Sequence, residues 1–88
     1  MKKSKITRTP EDIKRIKTFI KNHGFETMAA FSKAVDMDRQ NVHCRIIGKT
    51  DPSIRMLLQW ASILHCDITE LITLFYPKEY AEYKEKSF

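Results

Sequence analysis

Five times along this chain, a side chain able to accept from the free amides of a helix start stands just before apolar residues at helical spacing. Those residues are Thr9, Thr27, Asp38, Ser53 and Asp67. A helix leaves its first N–H groups without intrahelical partners, and Ser, Thr, Asp and Asn are the residues that satisfy them. Repeated at short intervals, this signal restricts the chain to a set of short helices. Thr9 is followed by Pro10 at the first helical position, where its missing N–H costs nothing. Glu11 and Asp12 then favour the positive end of the helix dipole. Ile13, Ile16, Phe19 and Ile20 form one stripe, and Gly24 can close the segment in a left-handed conformation.

The later segments repeat the logic. Behind Thr27, residues Met28, Phe31 and Val35 share a face. Asp38 opens a third helix that Gly48 closes, and Val42 and Ile46 lie one turn apart within it. Ser53 opens a fourth with a broad apolar face of Ile54, Leu57, Leu58, Ala61 and Leu64, with Trp60 alongside. Asp67 and Glu70 form a capping-box pair for a fifth, which Pro77 stops because the residue before a proline is pushed toward extended backbone. Only two glycines and three prolines are available for the tight turns of a many-stranded sheet. No stretch alternates with a period of two. The predicted fold class is all-α: a compact bundle of five short helices between Pro10 and Tyr76, joined by loops of roughly two to six residues.

Eighty-eight residues, 42% of them hydrophobic, make one domain with one modest core. The pattern divides it into a basic flexible arm over 1–9, the helical domain over 10–76 and a C-terminal tail over 77–88. The tail, "KEYAEYKEKSF", is charge-balanced, and Tyr76, Tyr80 and Tyr83 would form an aromatic stripe if it were helical. A net charge of +5 makes nucleic acid the first candidate partner, with an anionic membrane surface competing. Against the membrane, the chain has no long apolar run and no helix with a wholly basic face opposite a bulky apolar one. The basic start lacks an apolar run behind it. The expectation is therefore a cytoplasmic protein, nucleoid-associated when bound to DNA, with reduced cysteines.

Residues 28–47 place two short helices around a brief turn, the physical requirement of a helix-turn-helix. In that motif the first helix braces across the phosphate backbone and the second enters the major groove, so the second must be apolar inside and polar at its exposed first turn. "DRQNVHCRII" meets this: Val42 and Ile46 face in, while Arg39, Gln40, His43 and Cys44 fall outside and near the start.

The stretch "FSKAVDMDRQNVHCRIIGKTDPSIRMLLQWASILHCDITEL" resembles the Cro and lambda-repressor-like helix-turn-helix domains, often called XRE-type, over roughly Ile13 to Phe75. Gly48, Pro52 and Ser53 fall where that family ends its recognition helix and starts the fourth. Leu57, Ala61, Leu64, Cys66, Ile68 and Leu71 take the places of its later apolar pattern. The resemblance implies a sequence-specific double-stranded DNA-binding protein, a bacterial or phage transcriptional regulator of the repressor kind. It implies base contacts from Arg39 and Gln40 in the first turn of the third helix, and from His43 and Cys44 in the next. Their chemistry suits the task, since arginine pairs bidentately with guanine and glutamine with adenine, and a thiol can lie against a thymine methyl.

Phosphate contacts are expected from Thr27 and Met28 at the start of the second helix and, by the resemblance, from Lys49 and Thr50, with Asn41 and Arg45 as further candidates. Lys2, Lys3 and Lys5 form an arm that can wrap the duplex. Three positions depart from the family pattern. Ser32 stands where alanine is preferred. Asp36 takes the glycine position of the turn and is expected to be left-handed. Arg45 stands at a commonly apolar site, so either the helix is rotated or the arginine lays its stem along the core edge and reaches a phosphate.

One recognition helix reads few bases, so a homodimer reading half-sites about 34 Å apart is expected. Leu74, Phe75, Tyr76 and Tyr80 are the candidate dimer contacts. The tail offers an alternative role as the docking element for a different protein, as in an antitoxin. No cofactor is expected. His43–Cys44 and His65–Cys66 suggest a metal site, but adjacent residues on a helix diverge by about 100°, so one pair can hardly give two ligands to one ion, and no metal is expected. No glycine-rich phosphate loop or nucleophile–base pairing argues for an enzyme.

Overall fold

The computed structural model describes residues 8–87, and among these every regular element is an α-helix. In chain order they are α1 (Pro10–Asn22), α2 (Met28–Ala34), α3 (Arg39–Ile47), α4 (Ile54–Leu64), α5 (Ile68–Phe75) and α6 (Pro77–Ser87). The N-caps are those expected. Thr9, Thr27 and Ser53 each accept through the side-chain oxygen from the N–H three residues on, at 3.1 Å, and Asp38 accepts from the Gln40 N–H at the same distance. Glu70 reaches back to the Asp67 N–H at 3.4 Å. Each such bond is worth about 1 kcal/mol of local stability.

The sixth helix is the addition to the expected five. Pro77 performs two functions at once. Its ring drives Tyr76 to φ −133°, ending α5, and its fixed φ suits the first position of α6. The Tyr80 N–H donates to the Tyr76 carbonyl at 2.9 Å, closing the first turn of the new helix.

The core gathers Ile16 and Ile20 from α1, Phe31 and Val35 from α2 and its end, Val42 and Ile46 from α3, and the inner faces of α4 and α5. Trp60 stands at its centre, fully buried. Phe31 meets it edge-on at 5.2 Å between ring centroids and Phe75 at 5.8 Å, while Phe25 extends the series from Phe31 at 5.5 Å. This edge-to-face geometry sets positive ring edges against negative faces, adding to what burial alone contributes.

The structure corrects three expectations. Phe75, a candidate dimer contact, is only 5% exposed and packs on Trp60, so it is a core residue. The inner face of α4 is narrower than its apolar pattern: Leu57, Trp60, Ala61 and Leu64 are buried, but Ile54 and Leu58 remain 59% and 54% exposed. Arg8, assigned by pattern to the flexible arm, is buried. Its burial follows from four acceptors that converge on its guanidinium, described below. Lys2, Lys3 and Lys5 lie outside the described residues.

Candidate nucleic-acid interface

Helix α3 is held by its inner edge. Val42 and Ile46 are completely buried, which fixes the rotation of the helix and turns Arg39, Gln40, Asn41 and His43 outward. Cys44 is half-buried, with the Gln40 side-chain amide 4.0 Å from its sulfur one turn earlier. Of the two alternatives for Arg45, the geometry has the features of the second, with its stem along the core edge, while Val42 and Ile46 hold the inner edge of the helix. The arginine is half-buried, lies along the edge of α3 and donates to the Asn41 carbonyl at 3.3 Å. Its head is thereby turned back along its own helix.

The α2–α3 connection sets the second helix at its angle. Asp36 has φ +58°, the left-handed conformation expected of it, and Asp tolerates that region better than most residues. Its N–H donates to Lys33 O at 3.1 Å, while the Met37 N–H donates to Ser32 O at 3.0 Å, so the turn satisfies the last carbonyls of α2. Ser32, buried where a smaller apolar residue would serve, donates its hydroxyl to Met28 O at 2.7 Å and leaves no bare polar group in the packing.

This arrangement brings the start of α2 to the outer face of α3. Met28, Arg39, Gln40 and His43 line one shallow hollow of about 210 Å³. Thr27 stands beside it, its hydroxyl accepting from the Ala30 N–H. At the other end of α3, Gly48 takes φ +91°, open to glycine without steric cost. Lys49 and Thr50 follow, both exposed, and their N–H groups donate back to the Cys44 carbonyl at 3.0 and 3.3 Å. An anion at this end would therefore meet the ammonium and the hydroxyl, the two backbone donors being already engaged.

Sequence reasoning missed one residue of this neighbourhood, Arg8. Its guanidinium donates to the carbonyls of Arg45 at 2.7 Å and Ile46 at 3.4 Å, which end α3, and to that of Phe75 at 3.4 Å, which ends α5. It also pairs with Asp51 at 3.4 Å, and lies 4.9 Å over the Phe75 ring. One cation thus sits at the negative ends of two helix dipoles. Burial pulls Arg8 below the usual arginine value, and Asp51 opposes that pull. The pairing also moderates the one acid in the loop beside Lys49 and Thr50. No local pattern in "ITRTPED" marks Arg8, because all its partners are distant in sequence.

The two members of the second His–Cys pair have different settings. His65 ends α4 with φ +57°, whereas Cys66 packs against the core, and burial, then Glu70 and Asp67, pushes its thiol up. Among the described residues no group of three or more His, Cys, Asp or Glu side chains is placed to hold a metal ion, and no helix is long and apolar enough to cross a membrane.

Of the remaining candidates, Tyr76 is half-buried, with its hydroxyl donating to Pro52 O at 2.7 Å. Leu74 and Tyr80 are also half-buried, and Tyr80 stacks on Tyr83 at 6.1 Å. Comparisons with models of known families, with curated proteins and with solved structures find no match to this chain.

Proposed function

We propose that this protein binds double-stranded DNA sequence-specifically, with α2 and α3 as a lambda-repressor-like helix-turn-helix, and that it acts as a bacterial or phage transcriptional regulator. The observation that carries the proposal is the two-sidedness of α3. Val42 and Ile46 are wholly buried while Arg39, Gln40 and His43 stand exposed beside the start of α2. A helix inserted in the major groove needs this division: a fixed inner edge for orientation and long polar side chains outside for base edges.

In this reading Arg39 and Gln40 read bases from the first turn, and His43 and Cys44 lie one turn further along. Thr27 and Met28 at one end, and the side chains of Lys49 and Thr50 at the other, meet the phosphates flanking the groove. Asn41, and Arg45 whose head donates to the Asn41 carbonyl, are in this reading phosphate contacts at the margin of the interface. Such a protein reads two half-sites as a homodimer and represses by occluding a promoter, with its own concentration as the control.

Selection of bound duplexes from a random pool, followed by titration at several salt concentrations, tests the proposal. The expected outcome is an enriched two-fold-symmetric site whose half-sites lie about one helical turn apart, bound well above random duplex. Equal affinity for selected and random DNA would remove sequence-specific recognition, and no salt-dependent binding at all would remove the DNA reading.

A further inference from the structure

The face of α6 turned toward α4 and α5 leaves an apolar surface open among the described residues. An apolar groove of about 610 Å³ runs between α4, α5 and α6, lined by Ile54, Leu57, Ile72, Tyr76, Tyr80 and Tyr83. Ile54 and Tyr83 are 59% and 61% exposed on it, and Leu58 stands one turn beyond Ile54. Exposed large apolar side chains grouped in this way mark an interaction surface, and tyrosine is enriched at such surfaces because it supplies area and a polar tip together.

The sequence of α6 identifies the occupant. At about 100° per residue, Tyr80 and Tyr83 of α6 fall within one narrow arc, and Tyr76, just before the helix, lines the same groove. Glu79 and Lys86 flank that arc on one side and Lys84 on the other. The Lys84 ammonium is already engaged, 5.7 Å from the Tyr80 ring centre. Among the described residues Glu79 and Lys86 take part in no ion pair.

When two copies of a helix pack antiparallel about a two-fold axis perpendicular to both, each flank meets the same flank of the other copy in reverse order. If Tyr80 of one copy lies opposite Tyr83 of the other, the same register brings Glu79 toward Lys86 of the other copy, and symmetry makes every contact twice. The apolar seam and the charges are satisfied by one register, and by the same helix read backwards.

We infer that α6 is an isologous dimer element: two copies of this chain pack their α6 helices antiparallel, with Tyr80 and Tyr83 forming the seam, the Ile54 side of the groove closing over it, and Glu79 paired with Lys86 of the other copy. This deepens the homodimer of the DNA-binding reading by naming its surface and register. It replaces Phe75, which is in the core, by Tyr83, Ile54 and the Glu79–Lys86 pair.

Sedimentation velocity of the full chain without DNA, from micromolar to several hundred micromolar, tests it. The wild type is expected to show a reversible monomer–dimer equilibrium. Tyr83→Ala should weaken the dimer about tenfold or more, because its side chain is lost on both sides of the axis. Glu79→Lys should weaken it about fivefold by setting like charges opposite each other, and Glu79→Lys combined with Lys86→Glu should restore it to within about twofold. Circular dichroism should show unchanged helix content for Tyr83→Ala and slightly less helix in the charge variants, because Glu79 in the first turn of α6 and Lys86 in its last favour the helix dipole. The double exchange has the least favourable dipole of all, so its recovery of the dimer reports the pairing and not the helix.

A monomer at every concentration would overturn the inference and leave the groove to a helix of some other protein. A dimer indifferent to Tyr83→Ala, or one that the double charge exchange fails to restore, would overturn it as well. Binding of the same samples to random duplex at low salt separates the two readings. A dimer that ignores DNA removes the DNA-binding proposal alone, and a DNA-binding monomer removes the α6 dimer alone.

Discussion

The Arg8 guanidinium donates to the carbonyl of Arg45 at 2.7 Å, joining the residue before the α1 N-cap to the last turn of α3 across 37 residues. The same side chain reaches the end of α5 at Phe75 and the loop acid Asp51. The helix proposed to read DNA is therefore fixed at its inner edge by Val42 and Ile46 and at its C-terminal end by a cation from outside the helical pattern.

Arg8→Ala should lower stability by about 2–3 kcal/mol, because it leaves carbonyls of Arg45, Ile46 and Phe75 without a donor in a buried setting. Arg8→Lys should recover only part of this, since a single ammonium cannot span acceptors on two helices and a loop. Urea unfolding of the three proteins measures it. Equal stability of wild type and Arg8→Ala would show that the latch is incidental.

At the turn, Asp36→Val should cost about 1–2 kcal/mol, because a β-branched residue is strained at φ +58°. Asp36→Gly should be close to neutral: glycine relieves the strain but adds freedom to the unfolded chain. Thermal melts of the pair check the contrast, and equal losses would mean that the left-handed turn is not what holds α2 against α3.

Tyr76 carries a pH dependence with a definite sign. Its phenol is raised above the ordinary tyrosine value, first by burial and then by Asp51. The folded state thus holds the proton to higher pH than the unfolded state does. This contribution is fully present below about pH 10, the unfolded value, and is lost as pH rises through the raised folded value. Tyr76→Phe should cost about 1 kcal/mol at neutral pH for the lost bond to Pro52 O, and its stability should decline less steeply than the wild type above pH 10. Parallel decline of the two proteins would assign the alkaline loss elsewhere.

On DNA, Arg39→Ala should weaken binding to the best site by about 1–3 kcal/mol and relax preference at one base position. Lys49→Ala should weaken all sequences alike and lower the salt slope by about one. Fluorescence anisotropy on selected and random duplexes separates the two behaviours. Variants that both behave as wild type would place the interface on a different face.

What could be read from the residues in order was local. Each helix start is a bond between neighbours, such as Thr9 with the Asp12 N–H, and each helix end at Gly24 or Gly48 is a backbone preference of one residue. Such interactions act over three or four positions, so pattern alone located α1 to α5 and the buried edge of α3, while the left-handed Asp36 was expected from the family resemblance, where it takes a glycine position. The tail was ambiguous because Pro77 both terminates and initiates, and its sequence is as suited to solvent as to a helix.

Side selection needed the third dimension. Phe75 and Tyr80 look alike as apolar aromatics near the C-terminus, yet one packs on Trp60 and the other on an open groove. Ile54 and Leu57 share an apolar pattern, yet only Leu57 finds a neighbour across the bundle to bury it. Arg8 has no local partner, and its acceptors converge only when α3 and α5 end at the same place. Capping and periodicity are properties of neighbouring residues and so belong to the sequence. Which face is covered, and where a buried charge finds its carbonyls, are properties of helix packing, and the tertiary structure alone decides them.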